Sequence, residues 1–164
     1  MSLPSLRVGQ GVDAHPLVAG RQLVLGGVAV PFELGLDGHS DADVVAHAAC
    51  DALLGAAGLA DLGHHFPSGD PRWKAVSSIE LCRQVAELVA ASGWVAVNLD
   101  VTVLCDQPRL GHLTAEMAAN LAAALGLEPA QVRVTAKGTD GLGFPGRGQG
   151  IAATAVCLAA AGNL

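Results

Sequence analysis

The chain has no tyrosine, and aromatic residues make up only 3% of its 164 positions. A core without aromatics has to be filled by alanine, valine and leucine, and packed elements then approach closely. Hydrophobic residues still reach 51%, so aliphatic surface is expected to be buried between subunits as well as within one. Basic residues are also scarce. Nine Lys and Arg stand against fifteen Asp and Glu, a net charge of −6, and the absence of a basic patch excludes nucleic acid as a partner. An acidic chain that binds polyphosphate must draw positive potential from metal ions and backbone N–H groups. The four cysteines (Cys50, Cys82, Cys105 and Cys157) form no CxxC pair. They read as small hydrophobes in a reduced, cytoplasmic setting. No run is apolar enough for a membrane span. The longest uncharged stretch, Gly148–Leu164, is broken by glycine and polar residues, short of the ~20 apolar residues a span needs. MSLPSLRVG has neither a signal-peptide nor a transit-peptide pattern. Repeats, charge blocks and low-complexity linkers are absent too, so residues 1–164 read as a single domain.

What the chain does have is alternating strand and helix signals. Arg7–Val12 and Gln22–Pro31 read as strands, and Ser40 with Asp43 resembles a capping box, placing a helix from about Ala42 to Ala57 before Gly58. Ser77–Ala91 and Leu113–Leu125 read as helices; Val95–Leu104, Val132–Ala136 and Ile151–Leu158 read as strands. The mixture predicts an α/β (α+β) fold, a mixed β-sheet with helices packed on one face.

Chemistry-bearing residues collect near the amino-terminal end and in the loops. In Asp13-Ala14-His15 a carboxylate and an imidazole stand at i and i+2, on one face if the first strand continues. His47, on the expected helix, adds a second imidazole, and His39 a third. Such a set suits zinc with an open coordination position. Spacing alone leaves a metal site and ordinary polar positions evenly open. Asp51, four residues past His47, suits a carboxylate that orients a ligating imidazole, and Asp43 reads as part of a solvated helix face. His39-Ser40 lies at a helix start, either an anion site or a simple cap. The loop GLGFPGRGQG holds five glycines and Arg147, suited to close approach of a phosphate or to a tight bend against other backbone. His64, His65 and His112 lack partners at ligand spacing and read as surface residues.

Together the segments RVGQGVDAHP, GHSDADVVAHAACDALLGAAGLADLGHHFP, DPRWK, NLDVTVLCDQPRLG and GLGFPGRGQGIAA resemble the 2-C-methyl-D-erythritol 2,4-cyclodiphosphate synthase family over nearly the whole chain. The resemblance implies a homotrimer whose sheets face its axis, with active sites between subunits. It implies cyclisation of 4-diphosphocytidyl-2-C-methyl-D-erythritol 2-phosphate with release of CMP, in non-mevalonate isoprenoid synthesis. Asp13, His15 and His47 would be zinc ligands, and Asp140 the ligand of a second cation, Mg2+ or Mn2+. His39 and Ser40 would hold the erythritol phosphate. Asp61, Gly63 and the loop from Phe66 to Asp70 would line the methylerythritol pocket. Cys105, Arg109 and Gly111 would cradle the cytidine with Ala136, Lys137, Gly138 and Thr139. Phe144 and Arg147 would belong to the phosphate-side loop and trimer axis. The chain departs from the family where Lys137-Gly138-Thr139-Asp140 replaces a threonine run ending in Glu. Ser68, Arg109 and Gln149 are further departures. A zinc-dependent phosphoester hydrolase and a non-catalytic trimeric metal-binding scaffold are the alternative readings.

Overall fold

The structure, a computed structural model, describes residues 5–162. Its first strand, β1, runs over Leu6–Ala19, seven residues beyond the expected end at Val12, so Asp13 and His15 lie inside it. The expected strand at Gln22–Pro31 is a hairpin: β2 (Leu23–Leu25) and β3 (Val28–Val30) flank Gly26 and Gly27. Both glycines have positive φ, 55° and 71°, as a two-residue turn matched to strand twist requires. β4 (Leu34–Leu36) pairs with the end of β1. Then follow α1 (Val44–Ala57), the short α2 (Leu62–His65), α3 (Ser78–Ala91), β5 (Trp94–Leu104), α4 (Thr114–Leu125), β6 (Val132–Lys137), the one-turn α5 (Gly143–Gly146) and β7 (Gly150–Ala161).

The main sheet has the order β4-β1-β7-β5-β6. Only β5 and β6 pair in parallel; the other neighbours are antiparallel, so the sheet is mixed, as expected. The alanines of β7 have modest strand propensity, but β7 sits between β1 and β5, where tertiary packing decides. Ile151, Ala153, Ala155, Cys157 and Ala159 face the helices and are buried. Leu99, Val101, Val103, Val132 and Val134 continue that face.

Helix α1 crosses β1 at glycines. A Cβ on Gly11 would lie 2.0 Å from the Ala48 carbonyl oxygen, and one on Gly9 2.0 Å from that of Ala52. Both contacts are shorter than real atoms tolerate, so this crossing demands glycine. It brings His47 beside Asp13, one strand repeat further along the same face.

Among the described residues, nothing covers the opposite face of the sheet. Val8, Val12 and Val156 point from it and are 68%, 63% and 45% exposed. Leaving a valine in water forgoes roughly 1.5–3 kcal/mol that burial would supply. Among the described residues, no helix is long and apolar enough to cross a membrane.

Candidate metal centre and its surroundings

Three donors converge where β1 passes α1. Asp13 Oδ2 lies 2.8 Å from His47 Nδ1 and 3.1 Å from His15 Nε2. One ligand atom from each residue falls within 4.8 Å of the others. Burial on its own would raise the Asp13 pKa, but hydrogen bonds to His15 and His47 and their charge hold it well below the usual carboxylate range. The His15 pKa is raised, chiefly by its hydrogen bond to Asp13.

The rings are oriented from behind. His15 Nδ1 sits 2.6 Å from the Asp37 carbonyl oxygen. A carbonyl only accepts, so Nδ1 donates to it; in the neutral ring the Nε2 lone pair then points to the Asp13 side, where the protonated ring would donate instead. His47 Nε2 lies 2.9 Å from Ser78 Oγ and 3.2 Å from Ser40 Oγ, leaving Nδ1 to face Asp13. Two imidazole lone pairs aimed at one carboxylate oxygen repel each other unless a cation or proton lies between them. That donor set, mixed N and O with three ligands, fits zinc with a fourth position open.

A cavity of about 400 Å³ opens beside the triad. Asp13, His15, His39, Ser40 and His47 line it on one side, and Gly63, Phe66 and the Pro67–Gly69 loop on another. Phe66 meets Trp73 edge to face at 4.9 Å. His39 Nε2 donates to the Asp70 carbonyl at 3.2 Å. Arg21 holds the backbone beneath His39 and Ser40, donating to the carbonyls of Gly38 at 2.7 Å and Ser40 at 2.8 Å. Asp61 caps α2 and accepts from the His64 N–H; Asp70 pairs with Arg72.

The second group of expected residues assembles elsewhere, at the carboxyl ends of β5 and β6. Cys105 N–H donates to the Lys137 carbonyl at 2.9 Å. Asp106 clamps the turn that follows: it accepts from the Thr139 N–H and hydroxyl and, through Oδ2, from the Gly141 N–H. These bonds hold the Asp106 pKa below the usual carboxylate range. Between the clamped residues, Asp140 takes a positive φ of 55°, a conformation Asp tolerates. Arg109, Gly111, Lys137, Gly138 and Asp140 are exposed. None of them lines the triad cavity. Ala14 of β1 and Leu104 of β5 both pair with Ala152 of β7, so the two groups share one end of the sheet, with β7 between them. The glycine loop packs against its own chain: a Cβ on Gly146 would lie 2.2 Å from Gly141 C, and one on Gly150 2.6 Å from the His15 carbonyl oxygen. Arg147 donates to Gln149 Oε1, and Phe144 is exposed.

Several expectations need correction. Asp51 does not back His47; its Oδ1 accepts from the Leu62 N–H at 2.7 Å. Asp43, not Ser40, caps α1. It is fully buried rather than solvated, accepting from Val45, Ala46, Gly26 and Gly27 N–H groups. His65 is half-buried, its Nε2 sealed from solvent without a partner, whereas His64 and His112 are exposed. Asp41, Ser78 and Arg21 lie outside the expected site residues, and Asp106, inside the expected Cys105 to Gly111 segment, serves as a clamp on the neighbouring turn. Arg21 and Ser78 act across 17 to 37 residues of sequence, and no local pattern marks them.

A mixed sheet that carries an Asp-His-His group able to hold a metal ion, set beside a cavity, is built as an α/β enzyme site. Comparison with known proteins narrows this. A family described as the YgbB family matches residues 6–160. A 2-C-methyl-D-erythritol 2,4-cyclodiphosphate synthase of Desulfosudis oleivorans is 56% identical over 93% of this chain and 91% of its own length. One from Bordetella petrii is 52% identical over 98% of each chain. Among solved structures, the bifunctional IspDF of Campylobacter jejuni superposes with TM-score 0.92 at 36% identity, over 97% of this chain. This chain spans only 43% of that longer protein. A Plasmodium falciparum IspF in complex with CDP matches at TM-score 0.84 and 27% identity, over 99% of this chain and 100% of that one. The chain belongs to the YgbB family, the 2-C-methyl-D-erythritol 2,4-cyclodiphosphate synthases.

Proposed function

We infer that this chain is a 2-C-methyl-D-erythritol 2,4-cyclodiphosphate synthase of the non-mevalonate isoprenoid route. It converts 4-diphosphocytidyl-2-C-methyl-D-erythritol 2-phosphate to the cyclic diphosphate and CMP. An oxygen of the substrate's 2-phosphate forms a bond to the β-phosphorus. The bond from that phosphorus to the bridging oxygen breaks, and CMP departs with the electron pair. The nucleophile is already an anion, so no strong general base is needed, and positioning with charge neutralisation carries the catalysis. The observation that carries this reading is the Asp13-His15-His47 centre beside a cavity lined by His39 and Ser40.

Asp13, His15 and His47 would hold Zn2+, and Asp140 a second divalent cation, Mg2+ or Mn2+. When bound, these ions supply the positive charge that an acidic chain lacks for a diphosphate. His39, held by Asp70, and the Ser40 hydroxyl are set to bind the erythritol phosphate. Asp61, Gly63, Phe66 and Asp70 shape the sugar pocket. Cys105, Arg109 and Gly111, with Ala136 to Thr139, would receive the cytidine. Gly138 offers no hydroxyl there, and Lys137 supplies a charge instead.

The functional unit in this reading is a homotrimer. The uncovered valines of the sheet face the axis, Phe144 and Arg147 lie towards it, and the β5–β6 end of one subunit completes the cavity of the next. The deciding experiment incubates purified protein with the cytidine diphosphate substrate and Mg2+. Release of CMP with a cyclic diphosphate is expected. A linear phosphate product would instead mean a hydrolase, and absence of turnover a scaffold.

A further inference from the structure

We propose that Asp41 and Ser78 are positioning residues for the metal centre: they fix His47 with its proton on Nε2 and so reserve Nδ1 as the ligand atom. The Asp41 carboxylate can only accept. It receives the Ser78 N–H on Oδ2 at 3.0 Å and the Ser78 hydroxyl on Oδ1, and the Asp43 N–H lies 3.3 Å from Oδ1. The Ser78 hydroxyl proton is therefore committed to Asp41, and its oxygen is left to accept. His47 Nε2 lies 2.9 Å from that oxygen, so Nε2 is the donor. Nδ1, on the other side of the ring, faces Asp13 Oδ2 at 2.8 Å.

Burial makes this direction binding. Ser78 is fully buried at the start of α3, out of reach of water that would otherwise redirect its hydroxyl. Ser40 Oγ, 3.4 Å from Ser78 Oγ and 3.2 Å from Nε2, already accepts the Ala42 N–H. Its own proton remains available on the cavity side. The relay thus runs from His47 through Ser78 to Asp41 and joins α1 to α3 behind the centre. It fills the role that Asp51 does not, since an oriented acceptor behind a ligating imidazole sets its tautomer and raises its basicity.

The inference rests on the reading of Asp13, His15 and His47 as metal ligands, and its test separates the two. Full-length wild type, Asp41→Asn, Ser78→Ala and the double variant are titrated with zinc against a chromophoric chelator. Histidine 15N spectra are recorded at pH 8 with and without zinc. Each single variant should bind zinc roughly 10–100-fold more weakly, the usual effect of losing an outer partner. The double variant should be no weaker than the weaker single, because both act through one chain of bonds. In wild type Nε2 should stay protonated with and without zinc. In Asp41→Asn the freed hydroxyl can turn towards the ring, and zinc-free His47 should move its proton to Nδ1. A merely structural role would change thermal unfolding but not this tautomer. Wild-type zinc affinity in both single variants, multiplying losses in the double, or an unshifted tautomer in Asp41→Asn would each overturn the relay. A wild-type chain that binds no zinc would overturn the metal reading, while the tautomer would still decide the relay.

Discussion

The two groups of site residues are built to different standards. The triad side is set into the core: β1 lies inside the sheet, α1 is almost wholly buried, and every imidazole is oriented by a second hydrogen bond. The β5–β6 end belongs to an edge strand, and Lys137, Gly138, Asp140 and Gly141 are exposed. One carboxylate, Asp106, holds its turn. A fixed half can impose metal geometry before substrate arrives. A half-finished one has to be completed by something that packs on it, and a neighbouring subunit is the occupant proposed here.

The contrast can be broken most sharply at the triad. His47→Ala should abolish zinc binding and lower kcat/KM on the order of 10³-fold, the upper range for losing an electrostatic stabiliser. The fold should survive, because alanine is a good helix residue. Metal analysis and steady-state kinetics check this, and full zinc retention would remove His47 from the centre.

Stability should separate the two regions next. Asp43→Ala deletes the cap of α1, worth ~1 kcal/mol, and strands the Gly26 and Gly27 N–H groups at ~1 kcal/mol or more each. A loss of about 3 kcal/mol by denaturant unfolding is expected from these principles together. Asp106→Ala should lower the denaturant midpoint less, since the Thr139 and Gly141 amides it frees are part-buried and exposed.

The smallest effect is a titration. The Asp106 pKa is depressed by the Thr139 and Gly141 N–H groups, so its hold on the turn is complete above the ordinary carboxylate value. That hold is lost as pH falls through the lower, folded value. Amide signals of Thr139 and Gly141 should therefore titrate below pH 3.8, and a midpoint at or above that would contradict the clamp.

The same contrast explains what was legible in the sequence. Asp13 and His15 two apart on a strand, and a helix carrying His47, follow local periodicities, so most element positions could be read directly and the three residues singled out, although spacing alone left a metal site evenly open and the family resemblance made them a ligand set. The β1 overrun past Val12 depends on pairing with β7 and β4, and β4 itself is only three residues long. Asp43 looked like a surface charge because nothing local announces that the Gly26-Gly27 turn will fold over it. Asp51 sits at the right helical spacing to back His47, yet α2 presents the Leu62 N–H first. Ser78 lies 31 residues from His47, beyond the reach of any pattern in one chain.

Whether the two halves work together across subunits is measured most directly by complementation between inactive chains. His47→Ala and Asp140→Ala chains, each inactive alone, are unfolded, mixed in equal amounts and reassembled. In a ring of three, every mixed trimer contains one interface that joins an intact triad to an intact β5–β6 end. About a quarter of wild-type activity should return, given closed threefold symmetry. Activity that stays at the level of the separate variants would contradict the shared site.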